Sequence, residues 1–268
     1  MTSFTPLSTV LALQARGDAF ITAIPADWTQ GRTTFGGLLA AVAIRATQHG
    51  AAGERRLRSF VMDCIGPAGP GELSVITDEL RAGKSLSHVR ATLSQDGKVC
   101  AVVLAVFGQD LTSPLHVPGS AAPAGKTAAS ELARLPYVPG VAPAFTQHFD
   151  YRMTCEFKLF SGTPHGEITG YVRACDADRF DAGLVAALID AFPPPVLAQM
   201  SRPAPTSTVT WLVNLTNVDT ATLPPDTFCR YAAETKSAGS GYTSVDASLW
   251  DNSGRLLADS RQLVVEFS

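Results

Sequence analysis

Residues 183–192 read GLVAALIDAF and run into three prolines. Seven positions, Gly183 to Ile189, carry apolar or small side chains, and Asp190 then sets a carboxylate at the end of the run. An ionised carboxylate in an apolar site is costly unless it is paired, hydrogen-bonded or protonated. Burial pushes its pKa upward, and a place near a helix C-terminus pushes the same way, because the helix dipole is negative there. A carboxylate raised toward neutrality is a good general base and can take a proton from water. The same Asp190 would also suit a structural role, accepting from neighbouring backbone or hydroxyl groups. The local sequence leaves both readings open.

Other short patterns carry less. AGKS at 82–85 resembles the end of a phosphate loop, but position 78, where the first glycine belongs, is Asp. GSGYTS at 239–244 is not a G-x-S-x-G elbow and leads into a strand instead of a helix. The five histidines (His49, His88, His116, His148, His165) and five cysteines (Cys64, Cys100, Cys155, Cys175, Cys229) are scattered without metal-ligand spacing. No metal and no cofactor is expected, and the cysteines read as reduced core residues of a cytoplasmic protein. The chain has 21 basic and 24 acidic residues, a formal charge of −3, which gives no basic field for nucleic acid. Arg55, Arg56 and Arg58 read as a solvated strand end. The N-terminus lacks the charge and cleavage pattern of a signal peptide. The longest apolar run, 99–107, is about half of what a membrane span needs. Neither nucleic acid nor membrane is expected as a partner.

The elements that would position Asp190 emerge from an internal repeat. FGGLLAAVAIRA (35–46) lies over DAGLVAALIDA (181–191), and SLSHVRATLSQDGKVCAVVLAVF (85–107) over GYTSVDASLWDNSGRLLADSRQLVVEF (241–267). The latter pair alternate apolar and polar residues around a glycine turn, the pattern of a β-hairpin. A period near half the chain implies two copies of one domain. Each copy starts with one or two strands, ALQARGDAFITAIP or HGEITGYVRACD, and enters a helix, 36–48 or 182–192. Asp181 suits the second helix as N-cap, and Pro193 to Pro195 would end it. Helices apolar nearly all round must be surrounded, and an antiparallel sheet curled about each is the simplest solution. The stretch 111–144, rich in Pro, Ala, Gly and Ser with one helical turn at TAASELARL, reads as the linker between an N-terminal domain, 1–110, and a C-terminal domain, 145–268.

The copies differ where chemistry could sit. Asp190 falls opposite Ile44, and Gln262 opposite Ala105, so the second copy has polar groups where the first has apolar ones. A single strand glutamine more often faces solvent, and a strand threonine is usually just a good strand former. Gly36 and Gly37, after Phe35, would let backbone approach a ligand or would simply allow tight packing.

TTFGGLLAAVAIRA, LRAGKSLSHVRATLSQDGKVCA and GYTSVDASLWDNSGRLLADSRQ together resemble the acyl-CoA thioesterase II group of the thioesterase-like superfamily, over nearly the whole chain. The resemblance implies an α+β double hotdog, two antiparallel sheets each wrapped around a central apolar helix. It implies hydrolysis of acyl-CoA to free acid and coenzyme A, a role in lipid metabolism, and association into homodimers or larger homo-oligomers. It also implies a water held by an aspartate, a threonine and a glutamine. These map to Asp190, Thr208 in STVTWLVNL, and Gln262, with Phe35, Gly36 and Gly37 at the substrate. Thr206 and Thr210 are expected on the strand face of Thr208, so a shift by two residues would keep a hydroxyl there. A hydratase, an enzyme acting on carrier-protein thioesters, and a non-catalytic acyl-CoA-binding protein are the alternatives. The hydratase segment Asp-x-Asn-x-x-His is missing.

Overall fold

The computed structural model describes residues 4–50, 55–123 and 127–267. The ends of the two expected domains, residues 1–3 and 268, and residues 124–126 of the expected linker lie outside them. In chain order the first strands are β1 (Gln14–Arg16), β2 (Ala19–Ile24), β3 (Thr29–Gln30), β4 (Thr33–Thr34), β5 (Arg56–Cys64), β6 (Gly71–Ala82), β7 (Leu86–Gln95) and β8 (Lys98–Gly108). After the linker come β9 (Phe149–Met153), β10 (Glu167–Ala174), β11 (Thr206–Leu215), β12 (Cys229–Gly239), β13 (Tyr242–Trp250) and β14 (Leu256–Glu266). The helices that matter are α1 (Leu7–Val10), α2 (Gly36–Gly50) and α3 (Ala182–Ile189).

Both expected hairpins form. Between β7 and β8, Asp96 (φ 51°) and Gly97 (φ 74°) adopt the left-handed pair that a two-residue turn requires. The stretch expected as one strand before α2 is itself a hairpin, β1 and β2, reversed at Gly17 with φ 59°. In place of the helical turn in TAASELARL there is a short 3₁₀ turn, Ala129–Glu131.

The expectation of two sheets is corrected. Twelve strands form one continuous antiparallel sheet in the order β1-β2-β6-β7-β8-β5-β11-β14-β13-β12-β10-β9, with β3 and β4 a separate pair. β5 and β11 pair with each other, Trp211 opposite Met62 and Val213 opposite Phe60, so neither is left as an open edge. The arginine cluster at the start of β5 ties both flanks: Arg58 donates across the seam to the Asn217 side chain at 2.8 Å, and on the β8 side to Asp110 at 2.5 Å.

Directly opposed residues in an antiparallel sheet share a face. Phe60, Met62, Trp211 and Val213 are buried, and Val61, Asp63 and Leu212 between them are exposed, which fixes the inner face at the seam. Among several register slips, two fall at corresponding places beside the seam, between Leu57 and Ser59 on β5 and between Thr208 and Thr210 on β11. One extra residue, Arg58 or Val209, restarts the alternation.

α2 and α3 lie on the inner face and pack on each other. Small residues one turn apart make the contact: a side chain at Gly37 would stand 3.0 Å from the Ala187 backbone, and one at Gly183 would stand 3.6 Å from Ala41. Every residue of α3 from Gly183 to Ile189 is buried. Asp181 caps α3 by accepting from the Leu184 N–H at 3.0 Å and pairs with Arg45 of α2 at 2.8 Å. α3 stops three residues before the expected end, with Asp190 as its C-cap; Pro193 lacks an amide, and in a continued helix its ring would clash with the Ile189 carbonyl. No helix among the described residues is long and apolar enough to cross a membrane. Of the cysteines only Cys100 and Cys229 are buried; Cys64 and Cys155 are half-buried, and Cys175 is exposed, which corrects the expectation of core residues throughout.

A second junction joins residues early and late in the chain. The His148 ring stacks on Trp28 (centroids 4.0 Å apart, planes 4° from parallel) and also meets Phe4, tilted at 4.6 Å. Its Nε2 lies 3.1 Å from the Asp27 carbonyl oxygen. Burial holds the imidazole below its ordinary 6.5, against the opposing pull of Asp27 and Asp176. The unfolded chain therefore binds a proton near pH 6.5 that the folded one resists, and stability is lost as pH falls below that value. The stability difference between His148→Phe and wild type, measured by thermal unfolding at pH 7 and pH 5, isolates this loss: the variant is expected to gain on wild type as pH falls. An unchanged slope in that variant would remove His148 as the cause.

Candidate active site

The alternation of β14 turns Gln262 to the inner face, between the buried Ala258 and Val264 on the same side. The C-cap of α3 brings Asp190 over it. Gln262 Nε2 donates to Asp190 Oδ1 at 2.7 Å. The other carboxylate oxygen, Oδ2, lies only 2.9 Å from where a side-chain carbon on Gly36 would stand. Position 36 therefore has room for a hydrogen alone. The backbone N–H of Gly37 also reaches the carboxylate, so Asp190 sits between the end of α3 and the start of α2.

Electrostatics at this point are a contest. Burial raises the Asp190 carboxyl, while the Gln262 amide and the Gly37 N–H stabilise its charged form. Burial wins and the carboxyl is pushed up to about 7. The group is thus poised to exchange a proton near neutrality, as a general base requires. Nearby acids feel its charge. The Cys64 thiol is pushed up to about 12, mainly by burial and then by Asp190, which leaves it protonated and a poor nucleophile. Tyr151 is raised for the same two reasons, and its hydroxyl donates to the carbonyl of Ala191 at 3.0 Å, fixing the chain just beyond Asp190.

The structure brings together Asp190, Gln262, Gly36 and Gly37. Phe35 is placed differently: its ring is 1% exposed and stacked on Phe145 (4.1 Å, 2°), so only its backbone leads to the site. Thr208 stands opposite Val264 and therefore on the inner face with Gln262. Among the described residues no hydrogen bond joins it to the Asp190–Gln262 pair. Thr206, opposite Glu266, shares that face, but Thr210, opposite Leu263 and Asp63, lies on the outer one. The bulge at Val209 breaks the simple alternation and corrects the expectation that all three threonines share a face. Sequence reasoning passed over Cys64, Tyr151 and Trp211. Trp211 directly faces Gln262 across the strands, and strict alternation back from Gln262 through the register is the signal that finds it.

Family models for acyl-CoA thioesterases match nearly the whole chain, the N-terminal domain over residues 24–108 and the C-terminal domain over 119–265. No curated protein matches by sequence. Among solved structures, a protein of unknown function with a hotdog fold from Alicyclobacillus acidocaldarius superposes with a TM-score of 0.87 at 23% identity, covering 98% of each chain. An acyl-CoA thioesterase II from Mycobacterium marinum superposes at 0.76 with 16% identity, covering 97% of this chain and 98% of its own. A tesB protein from Mycobacterium avium subspecies paratuberculosis gives 0.75 at 18%, covering 98% of both. At these identities the superpositions establish the hotdog fold.

The raised Asp190 carboxyl has a consequence for stability. The unfolded chain ionises this group near 3.8 and the folded chain only near 7. Folding is therefore opposed above pH 7, and the opposition fades as pH falls through 7 toward 4. Asp190→Asn is expected to raise the melting temperature at pH 8, by up to about 2–4 kcal/mol of stability. The gain should vanish near pH 4. Calorimetry at the two pH values checks this, and destabilisation at pH 8 would show that the charged carboxylate is a structural acceptor.

Proposed function

Because the chain belongs to the acyl-CoA thioesterase family, we propose that it hydrolyses an acyl-CoA thioester to a carboxylic acid and coenzyme A. The observation that carries the proposal is the Asp190 carboxyl, held near 7 against Gln262 at the bare-glycine start of α2. Asp190 takes a proton from a water molecule as its oxygen attacks the thioester carbonyl carbon. The tetrahedral adduct collapses, the carbon–sulfur bond breaks, and the proton passes from Asp190 to the departing thiolate. The Gln262 amide and the Thr208 hydroxyl, which both donate and accept, orient the water. Gly36 and Gly37 let the substrate carbonyl approach main-chain N–H groups, where negative charge develops on its oxygen.

Thr208 is favoured over its neighbours by register. The strands β5 and β11 each bulge one residue after an inner-face position, Leu57 in the first and Thr208 in the second. In this reading the sheet is a double hotdog, residues 1–110 and 145–268, joined by 111–144. One half kept apolar residues at Ile44, Leu57 and Ala105, where the other has Asp190, Thr208 and Gln262.

Thiol release from a panel of acyl-CoAs, short, long and aromatic, tests the proposal once the protein's own cysteines are subtracted. Wild type should turn over at least one, with kcat/KM rising with pH to a plateau above about 7. Asp190→Asn should lower kcat by about 10²–10⁴ while remaining folded. Acyl-CoA bound without turnover would make this a binding protein, and equal turnover by both proteins would place the site elsewhere. In the same assay Thr208→Val should lose activity and Thr210→Val should not; the reverse result would reject the register argument.

A further inference from the structure

The chain has three tryptophans. Two of them donate their indole N–H to a carbonyl: Trp28 to Thr5 at 2.8 Å and Trp250 to Ser120 at 2.7 Å. Trp211 is the exception. It is 1% exposed, and its Nε1 is buried with no hydrogen-bond partner among the described residues. An unsatisfied buried donor costs about 1–3 kcal/mol, so its presence calls for a reason.

Its neighbours on the inner face supply one. Across β11, Trp211 faces Met62 on one side and Gln262 on the other. Gln262 Nε2 is engaged with Asp190, while its carboxamide oxygen accepts from no described group. Directly opposed residues hold their Cβ atoms about 4.5–5.5 Å apart, so the indole and the carboxamide are cross-strand neighbours on the inner face. The first half has apolar side chains at the corresponding pair, Phe60 opposite Ala105. The two halves therefore differ at the donor and the acceptor together.

We infer that Trp211 is a positioning residue, whose indole N–H, unbonded in the structure, turns to donate to the Gln262 carboxamide oxygen and so keeps the amide N–H₂ group on Asp190. An amide can present either end to a carboxylate, and only its nitrogen end is attractive. Indole donates and never accepts, so its N–H selects the orientation that aims Gln262 Nε2 at Asp190. The catalytic consequence rests on the hydrolase reading; the hydrogen bond itself does not. The competing acceptor is the face of Phe60, whose ring lies edge-to-face with Trp211 at 5.1 Å and 89°. Ser260, diagonal to Trp211 on β14, and Thr208, next on the inner face of β11, are the other polar groups at hand.

Indole ¹H–¹⁵N spectra test the bond without any substrate. Trp28 and Trp250 provide carbonyl-bonded references, and Trp211→Phe assigns the third signal. The Trp211 signal should fall in the bonded range, move in Gln262→Met and stay put in Ser260→Ala. A ring-shifted signal indifferent to Gln262→Met, or one that responds only to Ser260→Ala, overturns the proposal. For the catalytic effect, benzothienylalanine at position 211 replaces the N–H by sulfur and keeps the shape, avoiding the packing loss of Trp211→Phe. It should lower kcat about tenfold with KM little changed. It should also move the acidic limb of the pH profile upward, because Gln262 then supports the charged carboxylate less well. In a Gln262→Met background the replacement should cost nothing further. Full kcat with an unmoved limb overturns the positioning role. Absence of turnover by wild type would reject the hydrolase reading, and the indole signal would still decide the hydrogen bond.

Discussion

The approach of Asp190 to the start of α2 is the constraint around which the rest is arranged. A carboxylate oxygen 2.9 Å from the space of a missing side chain requires glycine at 36. It also requires α2 and α3 to cross closely, which small residues at 37, 41, 183 and 187 permit. The cross-strand position of Gln262 then supplies the amide that keeps the group from being simply a neutral acid. Each demand alone is modest. Together they need both halves, because the glycines come from the first and the carboxylate and amide from the second.

The continuous sheet makes that cooperation rigid. Pairing β5 with β11 removes two edges and fixes both inner faces in one frame. The bulges at Arg58 and Val209 are repeated features of that frame. They decide which of several hydroxyls on β11 can share a face with Gln262. Two-copy folds can place two equivalent sites, and in the proposed double-hotdog reading the halves differ at the candidate site. Ile44, Leu57, Phe60 and Ala105 leave one location packed and apolar. Asp190, Thr208, Trp211 and Gln262 make the other polar, at the desolvation cost visible in the raised Asp190 carboxyl.

The neighbourhood is also a setting of enforced neutrality. Burial keeps Cys64 and Tyr151 protonated, and the Asp190 charge reinforces this. Asp190 is thus the group here that exchanges its proton near neutral pH, which suits hydrolysis by activated water better than attack by the neighbouring thiol.

Much of this was legible in the sequence, for physical reasons. Alternation with period two and the glycine turns determined the hairpins, and the all-apolar run of α3 determined a buried helix with a carboxylate at its end. The repeat predicted two copies and marked Asp190 and Gln262 as departures from it. Tertiary structure alone decided what depends on pairing across the chain. The seam that makes one sheet of two is a contact between strands about 150 residues apart, which local pattern cannot encode. The side of the sheet that Thr210 faces turns on one extra residue in a strand whose sequence, TSTVTWLVNL, shows no sign of a bulge. Phe35, beside two glycines that line the site, looked equally available, but its ring is claimed by Phe145 from beyond the linker. Trp211 looks like an ordinary core residue until its cross-strand partner is known. Sequence sets which residues are buried and with what period, whereas register and helix crossing set which of them meet.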